Sequence, residues 1–189
     1  MKTLNEIYKA NLVNGWPDKG SIHSYIDVYE EVLKPYRERP YPVFIEIGLF
    51  SGQSLRMWEQ YFSEASTVYG IDCSDQPCGG LQDLRPMIAE GTHNIIIMDG
   101  TSPEDIEKHF KDVMFDVIID DGSHNLEHQL ASYKHFKSHL SKGGIYIIED
   151  IQSLDANREV FENIDPDKTV TILDRRSIKN RYDDLLIII

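Results

Sequence analysis

Two stretches concentrate the side chains best able to do chemistry: Phe115-Asp-Val-Ile-Ile-Asp120-Asp121-Gly122-Ser123-His124 and Gly143-Gly144-Ile-Tyr-Ile-Ile-Glu149-Asp150. In each, an apolar run rich in β-branched residues stops at a group of acids. Neighbouring parallel strands would bring two such ends within roughly 5 Å of each other. Asp121, Glu149 and Asp150 are therefore expected to converge on one cation. Oxygen donors with open water positions suit Mg2+ or another hard divalent ion, whereas zinc favours nitrogen and sulfur. Without such an ion, clustered carboxylates repel one another or stay protonated. His124, just beyond Asp121, is the candidate general base for a hydroxyl held there. Its position after a strand and before a helix predicts a helix dipole that favours the neutral imidazole. The competing reading makes these acids helix caps and solvated loop residues.

A second group lies at the ends of three earlier apolar runs. The first ends in Glu46-Ile-Gly48-Leu-Phe-Ser-Gly52-Gln-Ser54, where the glycines allow a tight turn and close approach of backbone to a ligand before a helix begins. The second run ends in Asp72, whose carboxylate can accept both hydroxyls of a ribose, and the third in Asp99, placed to meet an adenine amino group. A glycine turn alone is weak as a signal. Three such ends in order point to a nucleoside site.

Elements with the right spacing to position these residues are legible. Residues 2–13 carry Leu4, Ile7, Tyr8 and Leu12 on one helical stripe, broken at Asn14-Gly15-Trp16-Pro17; residues 22–36 repeat the pattern with Ile22, Ile26, Tyr29, Leu33 and Tyr36. From residue 43, VFIEI, TVYGID, NIIIMD, FDVIID and GGIYIIED alternate with helical stretches, and their unbroken apolar character predicts strands covered on both faces. Two further strands, TVTIL at 169–173 and LLIII at 185–189, are expected to close the sheet as an antiparallel pair. The expected fold is α/β: a Rossmann-like, doubly wound, seven-stranded, mostly parallel sheet with an antiparallel closing strand. It divides into an N-terminal helical extension at 1–40 and a core at 41–189. In such a sheet, ligands sit beyond the carboxyl ends of the strands.

This pattern resembles the class I S-adenosylmethionine-dependent methyltransferases, over residues from about 43 onward. The resemblance implies that Glu46, Gly48, Gly52 and Ser54 line the methionine and ribose part of S-adenosylmethionine, that Asp72 holds the ribose hydroxyls, and that Asp99 contacts the adenine. The D-D-G-S-H and I-E-D pair is similar to the metal-dependent macrolide and rhamnosyl O-methyltransferases. There, acids at the positions of Asp121, Glu149 and Asp150 hold magnesium, and the histidine matching His124 serves as base. Pro17-Asp18-Lys19-Gly20, with His23, Tyr25 and Tyr29, looks like that group's D-K-G segment. By the same resemblance, Lys19 and Asp120 belong to the cofactor side of the pocket, and Asp121 joins His124 in catalysis. The implied function is methylation of a hydroxyl on a sugar, glycan or glycosylated small molecule, with a possible homo-oligomer compensating for the family's missing covering insertions. The alternatives are a catechol-type aromatic O-methyltransferase and a cofactor-binding module without catalysis.

Composition narrows the choice. At 189 residues, one domain with a full core is expected. The 32 acidic residues outnumber the 19 basic ones, and a net charge of -13 would repel a polyphosphate backbone, which argues against nucleic-acid partners. No apolar run suggests a membrane span, and MKTLNEIYKA lacks a signal-peptide pattern, so a cytoplasmic location is expected, with Cys73 and Cys78 as thiols. The histidines at 124, 128, 135 and 139 share a helical stripe; its ends would lie roughly 22 Å apart, too far for one ion, so all but His124 are expected on the surface. Tyr133 and Lys137 reproduce the Y-x-x-x-K spacing of short-chain dehydrogenases. The glycine loop lacks the third glycine such enzymes need, and Tyr133 falls on the apolar helix face.

Overall fold

The computed structural model describes residues 2–11, 17–75 and 83–189. Leu12, the break at Asn14-Gly15-Trp16 and Cys78 lie outside the described residues. The chain begins with α1 (Leu4–Asn11), α2 (Asp18–Ser21) and α3 (Ile26–Arg37). Strands and helices then alternate: β1 (Val43–Ile47), α4 (Gln53–Tyr61), β2 (Thr67–Asp72), α5 (Arg85–Glu90), β3 (Asn94–Ile97), α6 (Pro103–Phe110), β4 (Phe115–Asp120), α7 (Leu126–Phe136), β5 (Leu140–Ile148) and α8 (Leu154–Glu162). β6 (Thr171–Asp174), α9 (Arg176–Lys179) and β7 (Leu185–Ile188) complete it.

The seven strands run β3-β2-β1-β4-β5-β7-β6, with β7 antiparallel to both of its neighbours and the other pairings parallel. This is the doubly wound, mostly parallel sheet that the apolar runs predict. Strand order reverses between β1 and β4, where a crevice opens at the carboxyl ends.

Alternation along each strand divides the core in two. Phe44, Val117, Ile119 and Ile147 pack with Tyr29, Leu33, Leu55 and Trp58 of α3 and α4. Ile45, Ile118, Tyr146 and Ile148 point the other way, toward Phe110, Tyr133, Phe136 and Phe161 of α6, α7 and α8. α1 and α3 cover the same face as α4, because Leu4, Ile7 and Tyr8 join that cluster. The first 40 residues thus supply part of the sheet's covering, which is why their polar residues can reach the strand ends.

The histidine stripe does not survive at its ends. Asn125 caps α7 by accepting from the Glu127 amide at 2.9 Å, so His124 precedes the helix, with a φ of 56°. After Phe136 a 3-10 turn over Lys137–His139 rotates the chain, and His139 is buried, its Nδ1 lying 3.1 Å from the Val113 carbonyl. The surface position expected for His139 is corrected accordingly: α7 ends too soon to keep it on the stripe.

Candidate active site

The crevice is set by how closely the β1 and β4 ends approach. Ile47 pairs with Asp120, the Asp121 amide donates to the Ile47 carbonyl at 2.8 Å, and the Glu149 amide donates to the Asp120 carbonyl at 2.9 Å. Gly48 adopts a φ of +88°, and a Cβ there would lie 2.2 Å from the Asp121 carbonyl oxygen. Only glycine allows this crossing.

A cavity of about 800 Å³ opens beyond β1 to β4, walled by Gly48, Asp72, Asp99, Asp120, Gly122 and His128 among others. The volume falls in the range of ligand sites. Asp72 organises its floor: Oδ2 accepts from the Leu49 and Phe50 amides at 2.8 and 3.1 Å, and Oδ1 accepts from the Ser74 amide at 3.1 Å. Asp99 accepts from the Thr101 hydroxyl at 2.7 Å and its amide at 2.8 Å, bonds that hold its carboxyl below the usual range. Asp120 is 2% exposed; burial pushes its carboxyl up to about 7, against the bonds donated by the Gly122 amide and the Tyr146 hydroxyl.

A second cavity of about 460 Å³, walled by Pro17, Asp18, Ile22, Ser54 and His124, shares Gly48, Phe50, Asp121 and Gly122 with the first. The two meet where the β1 and β4 ends cross.

Lys19 is the centre of the acidic cluster. Its fully buried ammonium lies 2.5 Å from Asp121 Oδ2, 2.6 Å from Glu149 Oε1 and 3.3 Å from Glu46 Oε1. Burial alone would lower the Lys19 pKa, yet these carboxylates hold it well above the ordinary lysine value. Glu46 also accepts from Ser54 Oγ at 2.6 Å and Trp58 Nε1 at 3.1 Å, and Tyr29 donates to Glu149 at 2.6 Å. Asp150 accepts from the Tyr25 hydroxyl at 2.7 Å.

Asp121, Glu149 and Asp150 do not share the single set expected of them: among the described residues, Asp121 falls with Glu149 and Glu46 in one group and with Asp150 and His124 in another. Asp121 and Glu149 share Lys19, while a separate set, Asp121, His124 and Asp150, offers donor atoms within 4.8 Å of one another. His124 Nε2 lies 3.1 Å from Asp121 Oδ1 and 3.8 Å from Asp150 Oδ2. Burial would lower the His124 pKa, but Asp121 and then Asp150 outweigh it and hold it above the ordinary histidine value. This pairing works against the helix-dipole preference for a neutral ring.

With His124 left aside, the oxygen donors of Asp121 and Asp150 fit a hard divalent cation. Lys19 supplies one positive charge to Glu46, Asp121 and Glu149, and Asp150 lies beyond its direct reach. Burial and then repulsion from Asp121 push the Asp150 carboxyl up to about 7. Asp150, His124 and Phe50 all adopt positive φ, at 54°, 56° and 50°, and strained backbone of this kind clusters at functional sites.

Of the expected cofactor residues, Gly48, Asp72, Asp99 and Asp120 wall the larger cavity and Ser54 the smaller. Glu46 and Lys19 lie fully buried behind the walls. Gly52, at a φ of +73°, lies against Met87, whose sulfur a Cβ would meet at 2.3 Å. Gln129 escapes the sequence reading: it is buried, walls the larger cavity and donates from Nε2 to the Glu149 carbonyl at 3.0 Å. Its signal is a polar residue set between Leu126 and Tyr133 on the core-facing stripe of α7.

Comparison with known proteins agrees with this architecture. The family described as "Methyltransferase domain" matches residues 45–151. An 8-demethyl-8-alpha-L-rhamnosyl tetracenomycin-C 2'-O-methyltransferase from Streptomyces olivaceus is 32% identical over 145 residues, covering 72% of this chain and 35% of the relative. The demethylmacrocin O-methyltransferase of Streptomyces fradiae is 31% identical over 155 residues, covering 78% and 36%. This chain therefore spans about a third of the length of the curated relatives it matches. Among solved structures, the MycE methyltransferase of the mycinamycin biosynthetic pathway, in complex with Mg, S-adenosylhomocysteine (SAH) and mycinamycin VI, superposes with a TM-score of 0.63 at 26% identity, covering 89% of this chain and 42% of that one.

Proposed function

This chain belongs to the methyltransferase-domain family, and from that premise we propose that it transfers a methyl group from S-adenosylmethionine to a hydroxyl of a sugar or glycosylated small molecule. The observation that carries the proposal is the junction of the two cavities at Gly48 and Asp121, with His124 on the wall of the smaller one. A donor with its nucleoside in the larger cavity and its methionine end toward Ser54 brings its sulfonium past that junction. The acceptor class is supported by relatives named as a rhamnosyl tetracenomycin-C 2'-O-methyltransferase and a demethylmacrocin O-methyltransferase, and by the MycE complex with mycinamycin VI.

In this reading Asp72 accepts the ribose hydroxyls, Asp99 faces the adenine, and Asp120 and Gly122 form the floor between them. Asp121 and Asp150 would hold a divalent cation, with Glu149 and Lys19 behind them fixing the Asp121 carboxylate; bound there, the ion would supply Lewis-acid polarisation of the acceptor hydroxyl. With Nε2 held by the Asp121 carboxylate, His124 takes the hydroxyl proton on Nδ1 as the oxygen attacks the methyl carbon; the carbon–sulfur bond breaks and SAH leaves. A positioned base contributes typically ~10²- to 10⁴-fold, and alignment of the bound reactants adds to it. Asp121 orients the imidazole through their 3.1 Å contact. Residues 1–40 act as a cover, because Pro17, Asp18 and Ile22 wall the smaller cavity. Among the described residues no helix is long and apolar enough to cross a membrane.

The test is a methyl-transfer assay with labelled S-adenosylmethionine and Mg2+, offering a deoxysugar glycoside and a catechol in parallel. Labelling of the glycoside is the expected result. Labelling of the catechol alone would favour an aromatic acceptor, and failure with every hydroxyl acceptor despite SAH binding would favour a module that binds without catalysis.

A further inference from the structure

Asp150 turns its two oxygens toward different partners. Oδ2 faces His124 at 3.8 Å, whereas Oδ1 lies 3.2 Å from Nδ1 of His23. On the Oδ1 side, Asp18, His23 and Asp150 each offer a donor atom within 4.8 Å of the other two. His23 is 2% exposed, and its Nδ1 is buried without a hydrogen-bond partner, since the approach to Asp150 lacks the geometry of a bond. A buried polar nitrogen left unsatisfied is destabilising. Native structures seldom carry that cost without a role for the atom.

The surroundings orient these donors. The Tyr25 ring stacks on His23 with centroids 4.9 Å apart, and its hydroxyl donates to Asp150 Oδ1 at 2.7 Å, so one side chain steadies both groups. The His23 amide donates to the Asp18 carbonyl at 2.8 Å, which closes the turn between them. Outer contacts of this kind hold metal ligands in place. Asp18 is exposed and walls the smaller cavity, which gives an ion a route in.

We propose that Asp18, His23 and Asp150 form a second divalent-cation seat, joined through the Asp150 carboxylate to the one at Asp121. The seat does not depend on methyl transfer or on the acceptor. Two carboxylates and an imidazole, with the remaining positions open to water, suit a first-row transition ion such as Mn2+ or Zn2+ better than Mg2+, because imidazole is a softer donor than oxygen. An ion there ties the segment at 17–25 to the end of β5 and fixes one wall of the smaller cavity.

The measurement is the number of Mn2+ ions bound per metal-free full-length chain, by equilibrium dialysis and metal analysis. Wild type should bind two, and His23→Gln and Asp121→Asn one each. Reloading with Co2+ should give visible absorption bands from nitrogen ligation that His23→Gln loses and Asp121→Asn keeps. Binding by His23→Gln equal in number and affinity to wild type would overturn the second seat. Unchanged binding by Asp121→Asn would instead count against the first seat and leave the second standing. If His23→Gln does not fold, Asp18→Asn decides, because that exposed carboxylate lies outside the core: at least tenfold weaker binding of one Mn2+ is expected, and no change overturns the proposal.

Discussion

Lys19 and Asp121, 102 positions apart in the chain, meet as an ion pair at 2.5 Å, with the lysine fully buried and the carboxylate half-buried. Through it the N-terminal segment is tied to the end of β4, and the acids there gain a resident counter-charge. Removing one partner of a buried pair leaves the other uncompensated, at a cost of about 3–5 kcal/mol. Lys19→Met should therefore lower the midpoint of thermal unfolding markedly. Calorimetric scans in EDTA and in Mg2+ should differ more for this variant than for wild type, since the ion relieves the exposed charge. Equal sensitivity to Mg2+ would separate the cation from the cluster.

Gly48 is expected to be intolerant of any side chain. A methyl group would meet the Asp121 carbonyl at 2.2 Å while the backbone sits at a φ of +88°. Gly48→Ala should destabilise the fold by at least ~2 kcal/mol, beyond the cost of strained backbone alone. Denaturant titration reads the change, and a wild-type midpoint would show that the crossing is looser than described.

Asp72 and Asp121 should separate binding from turnover. Asp72→Ala deletes the carboxylate that holds the Leu49 and Phe50 amides, and with it the proposed ribose contact. Loss of charged hydrogen bonds worth ~1.5–3 kcal/mol weakens SAH binding by roughly ten- to a hundredfold. Asp121→Ala should spare most of that affinity and abolish methyl transfer. Isothermal titration beside a turnover assay checks the division; equal losses in both quantities would contradict it.

Asp116 supplies a pH-dependent share of stability. Burial opposes its ionisation, but the Ser141 hydroxyl at 2.7 Å, the Val43 amide at 3.0 Å and Arg39 at 2.6 Å bring its carboxyl below the usual range. A folded-state pKa below the unfolded one gives stability that is present above the unfolded value and lost as pH falls through the folded one. Asp116→Asn should thus cost about 1–2 kcal/mol near neutral pH, and the gap from wild type should close in strong acid. A gap that persists unchanged in acid would assign the cost to geometry instead of charge.

Much of this architecture was legible before any coordinates. The strands announce themselves because a sheet covered on both faces needs unbroken apolar runs; Asp72 and Asp120 end β2 and β4 as expected, while Asp99 and Glu149 lie two residues and one residue beyond the ends of β3 and β5. The acids at 121, 149 and 150 were legible as a cluster, but their grouping was not. Lys19 divides them, and nothing local to a lysine so distant in the chain reports which carboxylates it will meet. His139 departs from its expected surface position because a helical stripe extends only as far as the helix, and α7 tightens after Phe136. Gln129 carries little signal in the sequence, because a single polar residue on an apolar stripe gains meaning only from the Glu149 carbonyl it donates to.

The central claim is that donor and cation meet where Gly48 crosses Asp121. A crystal of the full chain grown with SAH and Mn2+, measured at the manganese absorption edge, tests it directly. The account predicts SAH with its ribose on Asp72 and its sulfur beside Gly48, and an anomalous peak touching Asp121 and Asp150. SAH bound elsewhere, or no manganese at those carboxylates with SAH in place, would contradict it.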